Sequence, residues 1–368
     1  MKQILSLKDI KLPVCWETKP NKTEYMDFVY QESLEMEVWR KDNEIDILTH
    51  HHVTDLSRFF WPNANFEGLV LGAELMVWFF AFDDLFDGGF IDDNENEQSR
   101  LVNRMNNVFM EGTIETDSTG AERMGYHIRN KVKSICGEKR QSTFLRFNSS
   151  CVQWIDSIIP FIKLKKNQIS LDFNLYLYHR KYNIGAIPCF IISEIILDPM
   201  STIDSFIWSD SRWIKMSEIT CEIIALVNDC ASYEKEIKEN GAPLNPLKFI
   251  QIEKNFNLQE SYEHISNYLN KIIKQYIELE LSFINSYKLS TKTTTTTTTT
   301  INDDDDDDDD INSDRNINFT SIVNHLHNMS FANVSWSTQT PRYLSQTQPF
   351  IELRRNTKIV TKICNIKK

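Results

Sequence analysis

Residues 66–89 read FEGLVLGAELMVWFFAFDDLFDGG. From Leu69 to Phe82 the stretch is apolar apart from Glu74, and three acids, Asp83, Asp84 and Asp87, follow closely. A helix with no polar face cannot sit on a protein surface, so this pattern predicts a helix in the middle of a bundle. Gly88 and Gly89 supply its stop. The run is too short, and too charged at one end, to span a bilayer.

Further helices surround it in the sequence. One is expected from Ser170, a plausible N-cap, to about Asn183, and it breaks at GAIP, where Gly185 and Pro188 cannot both continue a regular turn. Another should run from about Met216 to Glu239 and stop at Asn240-Gly241, and a third from Leu258 to Tyr287, where apolar residues recur at spacings of three and four. Residues 289–316 contain the homopolymers Thr293–Thr300 and Asp303–Asp310. Neither can bury apolar area to offset the entropy of ordering, so a disordered loop is expected there. Order should resume near Ile317, with a helix to about Val334 followed by WSTQTPRY. The reading is one all-α domain over residues 1–345, interrupted by that loop, and a basic tail over 346–368.

The bulk properties agree. Only ten glycines and ten prolines in 368 residues disfavour a turn-rich β architecture. The net charge of −12 falls to −4 without the eight acids of residues 303–310, and no basic stripe suggests nucleic acid as a partner. Seven cysteines, an odd number without a CxxC pair, point to reduced thiols in a cytoplasmic protein. The N-terminus MKQILSLKDIKLPVCWE has no long apolar segment of the secretory kind. The triplet His50-His51-His52 cannot converge on one ion from a regular helix and reads as a polar turn.

Two segments carry chemistry. In Phe82-Asp83-Asp84-Leu85-Phe86-Asp87, Asp83 and Asp87 lie four apart and share a helix face. Carboxylates crowded at the end of an apolar helix repel and lose hydration, which is costly unless a cation neutralises them. Such hard oxygen donors suit Mg²⁺ or Mn²⁺. An exposed acidic last turn is the alternative, although acids there oppose the helix dipole. In Asn228-Asp229-Cys230-Ala231-Ser232-Tyr233-Glu234-Lys235-Glu236, the trio Asn228, Ser232 and Glu236 falls at i, i+4 and i+8 and drifts only about 80° around a helix. That column presents an amide oxygen, a hydroxyl and a carboxylate to a hard cation, or is an ordinary polar helix face.

Together the two segments resemble the aspartate-rich motif and the NDxxSxxxE motif of class I terpene synthases of the microbial type (bacterial, fungal and social-amoeba branches), in that family's order and rough separation. Two further matches extend the resemblance over about residues 10–345. Arg180, 48 positions before Asn228, matches the family's diphosphate-sensing arginine, and Arg342-Tyr343 matches the pair that closes over the diphosphate. Lys235 matches a common basic contact. The low-complexity insert and the chain beyond Tyr343 depart from the family pattern.

The resemblance implies a single-domain helical bundle around a central cavity, and a lyase that ionises a linear prenyl diphosphate. It implies three Mg²⁺ ions, with Mn²⁺ a possible substitute. Asp83 would be a ligand with Asp87, Asp84 would tune or orient, and Asn228, Ser232 and Glu236 would hold the third ion. Arg180, Lys235, Arg342 and Tyr343 would grip the diphosphate. The break at Asn183 to Gly185 would turn a backbone carbonyl into the pocket, with the choice between Asn183 and Ile184 open. Phe79, Phe80 and Trp336 are candidates for the aromatic walls or for plain core packing. Farnesyl diphosphate is the first expected substrate and geranylgeranyl diphosphate the second, for a monomer or homodimer with neither a membrane span nor a nucleic-acid partner. A chain-elongating prenyltransferase would carry a second DDxxD-type motif where this chain has Asn/Ser/Glu. A non-catalytic binder requires an extra assumption, because every metal ligand is present. The DxDD of class II cyclases occurs only inside the Asp octet, which cannot shield a protonating acid from water.

Overall fold

Twelve α-helices and three short 3₁₀ turns make up the ordered elements of the computed structural model, which describes residues 4–21, 53–87, 94–166, 172–196, 205–240, 244–297 and 319–354. The helices are α1 (Asp55–Phe60), α2 (Phe66–Asp87), α3 (Glu95–Met110), α4 (Gly120–Cys136), α5 (Gln141–Lys166), α6 (Phe173–Asn183), α7 (Ala186–Ile196), α8 (Ser205–Ser209), α9 (Ser211–Asn240), α10 (Pro246–Lys254), α11 (Leu258–Thr297) and α12 (Phe319–Ser337). Among the described residues there is no strand, only isolated bridges at Leu5–Phe350 and Ser345–Arg354. No helix among them is long and apolar enough to cross a membrane.

Local chemistry starts and stops these helices. Asp172 accepts from the Asn174 and Leu175 amides and opens α6, while Thr119 and Glu122 form a reciprocal capping box at α4. Asn245 caps α10 with Pro246 in its first turn, where a missing N–H costs nothing. Between α6 and α7 the chain turns at Gly185 with φ +72°, a left-handed conformation that a side chain would strain.

Packing then closes a ring. The sequence of contacts runs α2–α1–α12–α9–α6–α5–α7 and back to α2. Seven helices arranged this way enclose a space that none of them fills. Helix α7 is buried at ten of its eleven positions, because it also touches α4, α9 and α12. Trp61, fully buried, lies against Gly72 of α2, where a Cβ would come within 2.5 Å of the indole ring. Its Nε1 donates to Ser193 Oγ of α7 at 2.9 Å, so the α1–α2 corner is pinned to the buried helix.

The expected central helix is α2. The helix expected from Met216 starts a turn earlier, at Ser211, because Asp210 caps it through the Arg212 amide at 2.8 Å. The helix expected to stop at Tyr287 continues to Thr297, into the stretch expected as loop. The α6 cap is Asp172, two residues beyond Ser170, which lies outside the described residues. So do the histidine triplet, Gly88, Gly89, Gly241, residues 298–318, and the tail from Arg355.

Candidate active site

The helical ring encloses a cavity of about 550 Å³. Helix α2 contributes Phe79, Phe80, Asp83 and Phe86 to its wall, at spacings that place them on one face. Because neighbours cover the other faces of α2, the cavity and the core draw on the same apolar helix. The side chains of Asp84 and Asp87 lie outside the described residues.

Helix α9 contributes Ile224, then Asn228, Asp229, Ser232, Lys235 and Glu236. Ser232 Oγ donates to the Glu236 carboxylate one turn on. Asn245, at the start of α10, donates Nδ2 to Glu236 Oε2 at 3.2 Å and to the Asp229 carbonyl at 2.7 Å. Burial pushes the Glu236 pKa up, and the charge of Asp229 adds to the shift. This is a partly buried carboxylate held by neutral donors, a position where a cation would be stabilising. Its hard oxygen, with the Ser232 hydroxyl and the Asn228 amide oxygen on the same stripe, is a donor set suited to Mg²⁺ or Mn²⁺.

Arg180 reaches this stripe from α6. Its Nη2 donates to Asp229 Oδ1 at 2.7 Å and to Asn228 Oδ1 at 3.4 Å, and its Nη1 donates to Asn183 Oδ1 at 3.0 Å. Tyr176, one turn earlier, donates its hydroxyl to the other oxygen of Asp229. Burial opposes the Arg180 charge, but adjacent Asp229 more than offsets that, so the guanidinium is held cationic with its pKa raised.

The helix break presents three carbonyls in a row. That of Asn183 accepts from Trp154 Nε1 at 3.0 Å, and that of Gly185 from Cys189 Sγ at 3.3 Å. Ile184 would find its helical donor four residues on, but that residue is Pro188, which has no N–H. The Asn183 and Gly185 carbonyls thus have side-chain donors, and Asn183, Ile184 and Gly185 all line the cavity.

From the C-terminal side, Tyr343 accepts from Asn228 Nδ2 at 2.9 Å and meets Trp336 edge-on, with ring centroids 5.8 Å apart. Arg342 lies over the Phe80 ring at 5.1 Å, and Phe80 in turn tilts against Trp336 at 6.2 Å. Phe79 packs edge-on to Trp154 at 4.6 Å. The aromatic candidates therefore serve as both wall and core.

Every expected site residue whose side chain is described lines this one cavity, including Asn183, Gly185, Lys235 and Trp336. The sequence reading missed Tyr176, Asp229, Trp154, Phe161 and Asn245. Tyr176 was accessible in principle, because it lies four before Arg180 on one helix face. Asp229 sits beside Asn228, yet its orientation toward Arg180 depends on how α6 packs on α9. Asn245 and Trp154 come from other elements, and no local spacing announces them.

Residues 74–275 match the family model described as terpene synthase family 2, C-terminal metal binding. Terpene synthase 2 of Dictyostelium discoideum is 78% identical over 363 residues, covering 99% of this chain and 98% of that protein. Terpene synthase 1 of Dictyostelium purpureum is 47% identical over 351 residues, covering 95% and 86%. Among solved structures, germacradien-4-ol synthase from Streptomyces citricolor superposes with a TM-score of 0.71 at 14% identity, covering 90% of this chain and 99% of that one. Linalool/nerolidol synthase from Streptomyces clavuligerus in complex with 2-fluorogeranyl diphosphate gives 0.66 at 14% identity, covering 91% and 99%. The solved structures speak to the all-α fold, and the sequence relatives to descent. With a family match over more than half its length and a relative this similar from end to end, the chain belongs to the terpene synthase family, a group of lyases.

Proposed function

We propose that the protein ionises a linear prenyl diphosphate, farnesyl diphosphate first among candidates, in a Mg²⁺-dependent reaction and steers the resulting carbocation to a terpene. One observation carries the reading. A single cavity receives Asp83 from α2, the Asn228, Ser232 and Glu236 stripe from α9, and the cations Arg180, Lys235 and Arg342, with aromatic rings lining the rest. Its volume of about 550 Å³ is that of a pocket for a molecule the size of a prenyl diphosphate. The family model's description names metal binding, and a solved fold neighbour is in complex with a fluorinated geranyl diphosphate.

Asp83, with Asn228, Ser232 and Glu236, would hold Mg²⁺, which when bound neutralises charge on the departing diphosphate. The remaining work falls to the chain itself. Arg180 offers a planar fork to phosphate oxygens, and its second partner Asn183 ties it to the helix break. Arg342 and Tyr343 would meet the substrate from the C-terminal segment that lines the same cavity. The Ile184 carbonyl would direct its negative end toward developing positive charge, and the faces of Phe79, Phe80 and Trp336 would supply quadrupoles along the wall. Excluding water from this space protects the cation until a proton is lost.

The test is incubation of purified protein with Mg²⁺ and, separately, geranyl, farnesyl and geranylgeranyl diphosphate, with volatiles read by gas chromatography–mass spectrometry. A terpene from one of them, lost on adding EDTA, is the expected result. Silence with all three in folded protein would leave a binder without turnover. Consumption of isopentenyl diphosphate would instead indicate chain elongation.

A further inference from the structure

Helix α9 has a second working face. Between Ser232 and Glu236, which line the cavity, Glu234 points away from it and is nearly buried. It accepts from Ser345 Oγ on one carboxylate oxygen and from Thr347 Oγ1 on the other. Lys238, one turn along α9, sits 2.9 Å from the same carboxylate and donates to Thr347 Oγ1 at 3.3 Å. Gln348, fully enclosed, donates to the Ala231 carbonyl of α9 at 3.1 Å and to the Tyr343 carbonyl at 2.8 Å. Residues 343–348 thus form a loop closed on itself and tied to α9.

The far end of this segment is held as well. Arg354 Nε donates to the Gln348 carbonyl at 2.8 Å, and Ser345 N to Leu353 O at 3.2 Å. Leu5 exchanges backbone bonds of 2.9 Å with Pro349 and Ile351 across an isolated bridge. Glu352 accepts from Ser6 Oγ at 2.6 Å and from the Leu7 amide at 3.0 Å. Phe350 is buried edge-on to Tyr262, whose hydroxyl donates to Ser6 O at 2.5 Å.

We propose that residues 344–354 are a strap that holds Arg342 and Tyr343 in place over the cavity, and that Glu234 is its positioning residue. The assignment rests on the diphosphate-ionising reading given above. The logic is geometric. Tyr343 is the last residue before the strap, its hydroxyl reaches Asn228, and its carbonyl is held by Gln348. An arginine and a tyrosine on a free chain end would pay the entropy of ordering each time substrate arrived. Pinning the strap to the helix that carries Asn228, Ser232 and Glu236 removes that cost and fixes the pair against the same frame. Glu234 does so with two hydroxyl bonds to a carboxylate, which are stronger than bonds between neutral groups.

The experiment is a double-mutant cycle on the full chain. Affinity for inorganic diphosphate in Mg²⁺ is read by calorimetry, and kcat and KM by product formation. Glu234→Ala is expected to weaken diphosphate binding and kcat/KM about tenfold. In the background of Arg342→Ala with Tyr343→Phe, the same substitution is expected to change neither by more than twofold. Ser345→Ala with Thr347→Val, which leaves α9 intact, should reproduce both results if Glu234→Ala folds poorly. Equal losses in the two backgrounds, or no loss in either, would overturn the strap assignment. A wild type that binds diphosphate but releases no terpene would overturn the proposed function alone. A wild type that binds no diphosphate would overturn both.

Discussion

Arg180 and Asp229 form a buried ion pair, Nη2 to Oδ1 at 2.7 Å, at the point where α6 meets the Asn228, Ser232 and Glu236 stripe of α9. Tyr176 completes the shell of the carboxylate from the same face of α6. The pair therefore does structural work and also aims the guanidinium at Asn228. Burial pushes Asp229 up, and Arg180 with Tyr176 pulls it back. Removing one partner leaves an uncompensated charge, so Asp229→Ala is expected to cost about 3–5 kcal/mol of stability. Tyr176→Phe removes one hydrogen bond to a charged group and should cost about 1.5–3 kcal/mol. Urea unfolding of both variants checks the order, and an Asp229→Ala variant as stable as Tyr176→Phe would contradict it.

The proposed metal ligands make a sharper prediction. Asp83→Ala and Asn228→Ala should each lower kcat by at least about 10²–10³-fold, the scale seen when one transition-state electrostatic contact is lost. Neither change removes a core apolar side chain, so far-UV circular dichroism should keep its helical signature. Full activity in either variant would remove that residue from the site.

How much of this was legible beforehand depends on the range of each interaction. The Phe66–Asp87 helix announces itself through apolar residues on every face, and the Asn228, Ser232 and Glu236 stripe through spacing along one helix. Arg180 and Arg342-Tyr343 were legible only through family resemblance, because nothing in their spacing shows that they meet. Glu234 was invisible for a related reason. Its hydroxyl partners lie 111 and 113 residues downstream, and only the folded chain brings Ser345 and Thr347 to it. The extent of α11 was misplaced because a polar run signals neither a stop nor a cap, while the helix continues into it as far as Thr297. The boundary at Gly185 was legible because glycine and proline act on their own backbone.

That boundary gives a test of the Ile184 carbonyl. Pro188→Ala would supply the N–H that the fourth residue after Ile184 lacks, allowing the carbonyl to turn into the helix. Since Pro188 lies in the first turn of α7, where proline is tolerated, Tm should change little. Turnover should fall about tenfold, with products shifting toward uncyclised ones. Unchanged kcat and product profile would show that the carbonyl takes no part.

The last prediction concerns the helix that presents the stripe. Asp210 caps α9 through the Arg212 amide and also accepts from the Arg212 guanidinium, at 2.6 Å to Nη2, and from the Tyr287 hydroxyl at 3.0 Å. The Arg212 side-chain bond is the main cause holding the Asp210 pKa down at about 2, with partial burial opposing it. A carboxyl whose pKa is lower in the folded chain than in the unfolded one contributes stability fully above the unfolded value of 3.8. That stability is lost as pH falls toward 2. The size is about 1–2 kcal/mol once solvent screening at Arg212, whose side chain is 25% exposed, is allowed for. Asparagine caps a helix as well as aspartate does, so Asp210→Asn isolates the charge from the cap. The variant should be less stable than wild type by that amount at pH 6, and the gap should close between pH 4 and pH 2. No gap at pH 6 would mean that Asp210 acts through its cap alone and that its ion pair with Arg212 adds nothing to the anchoring of α9.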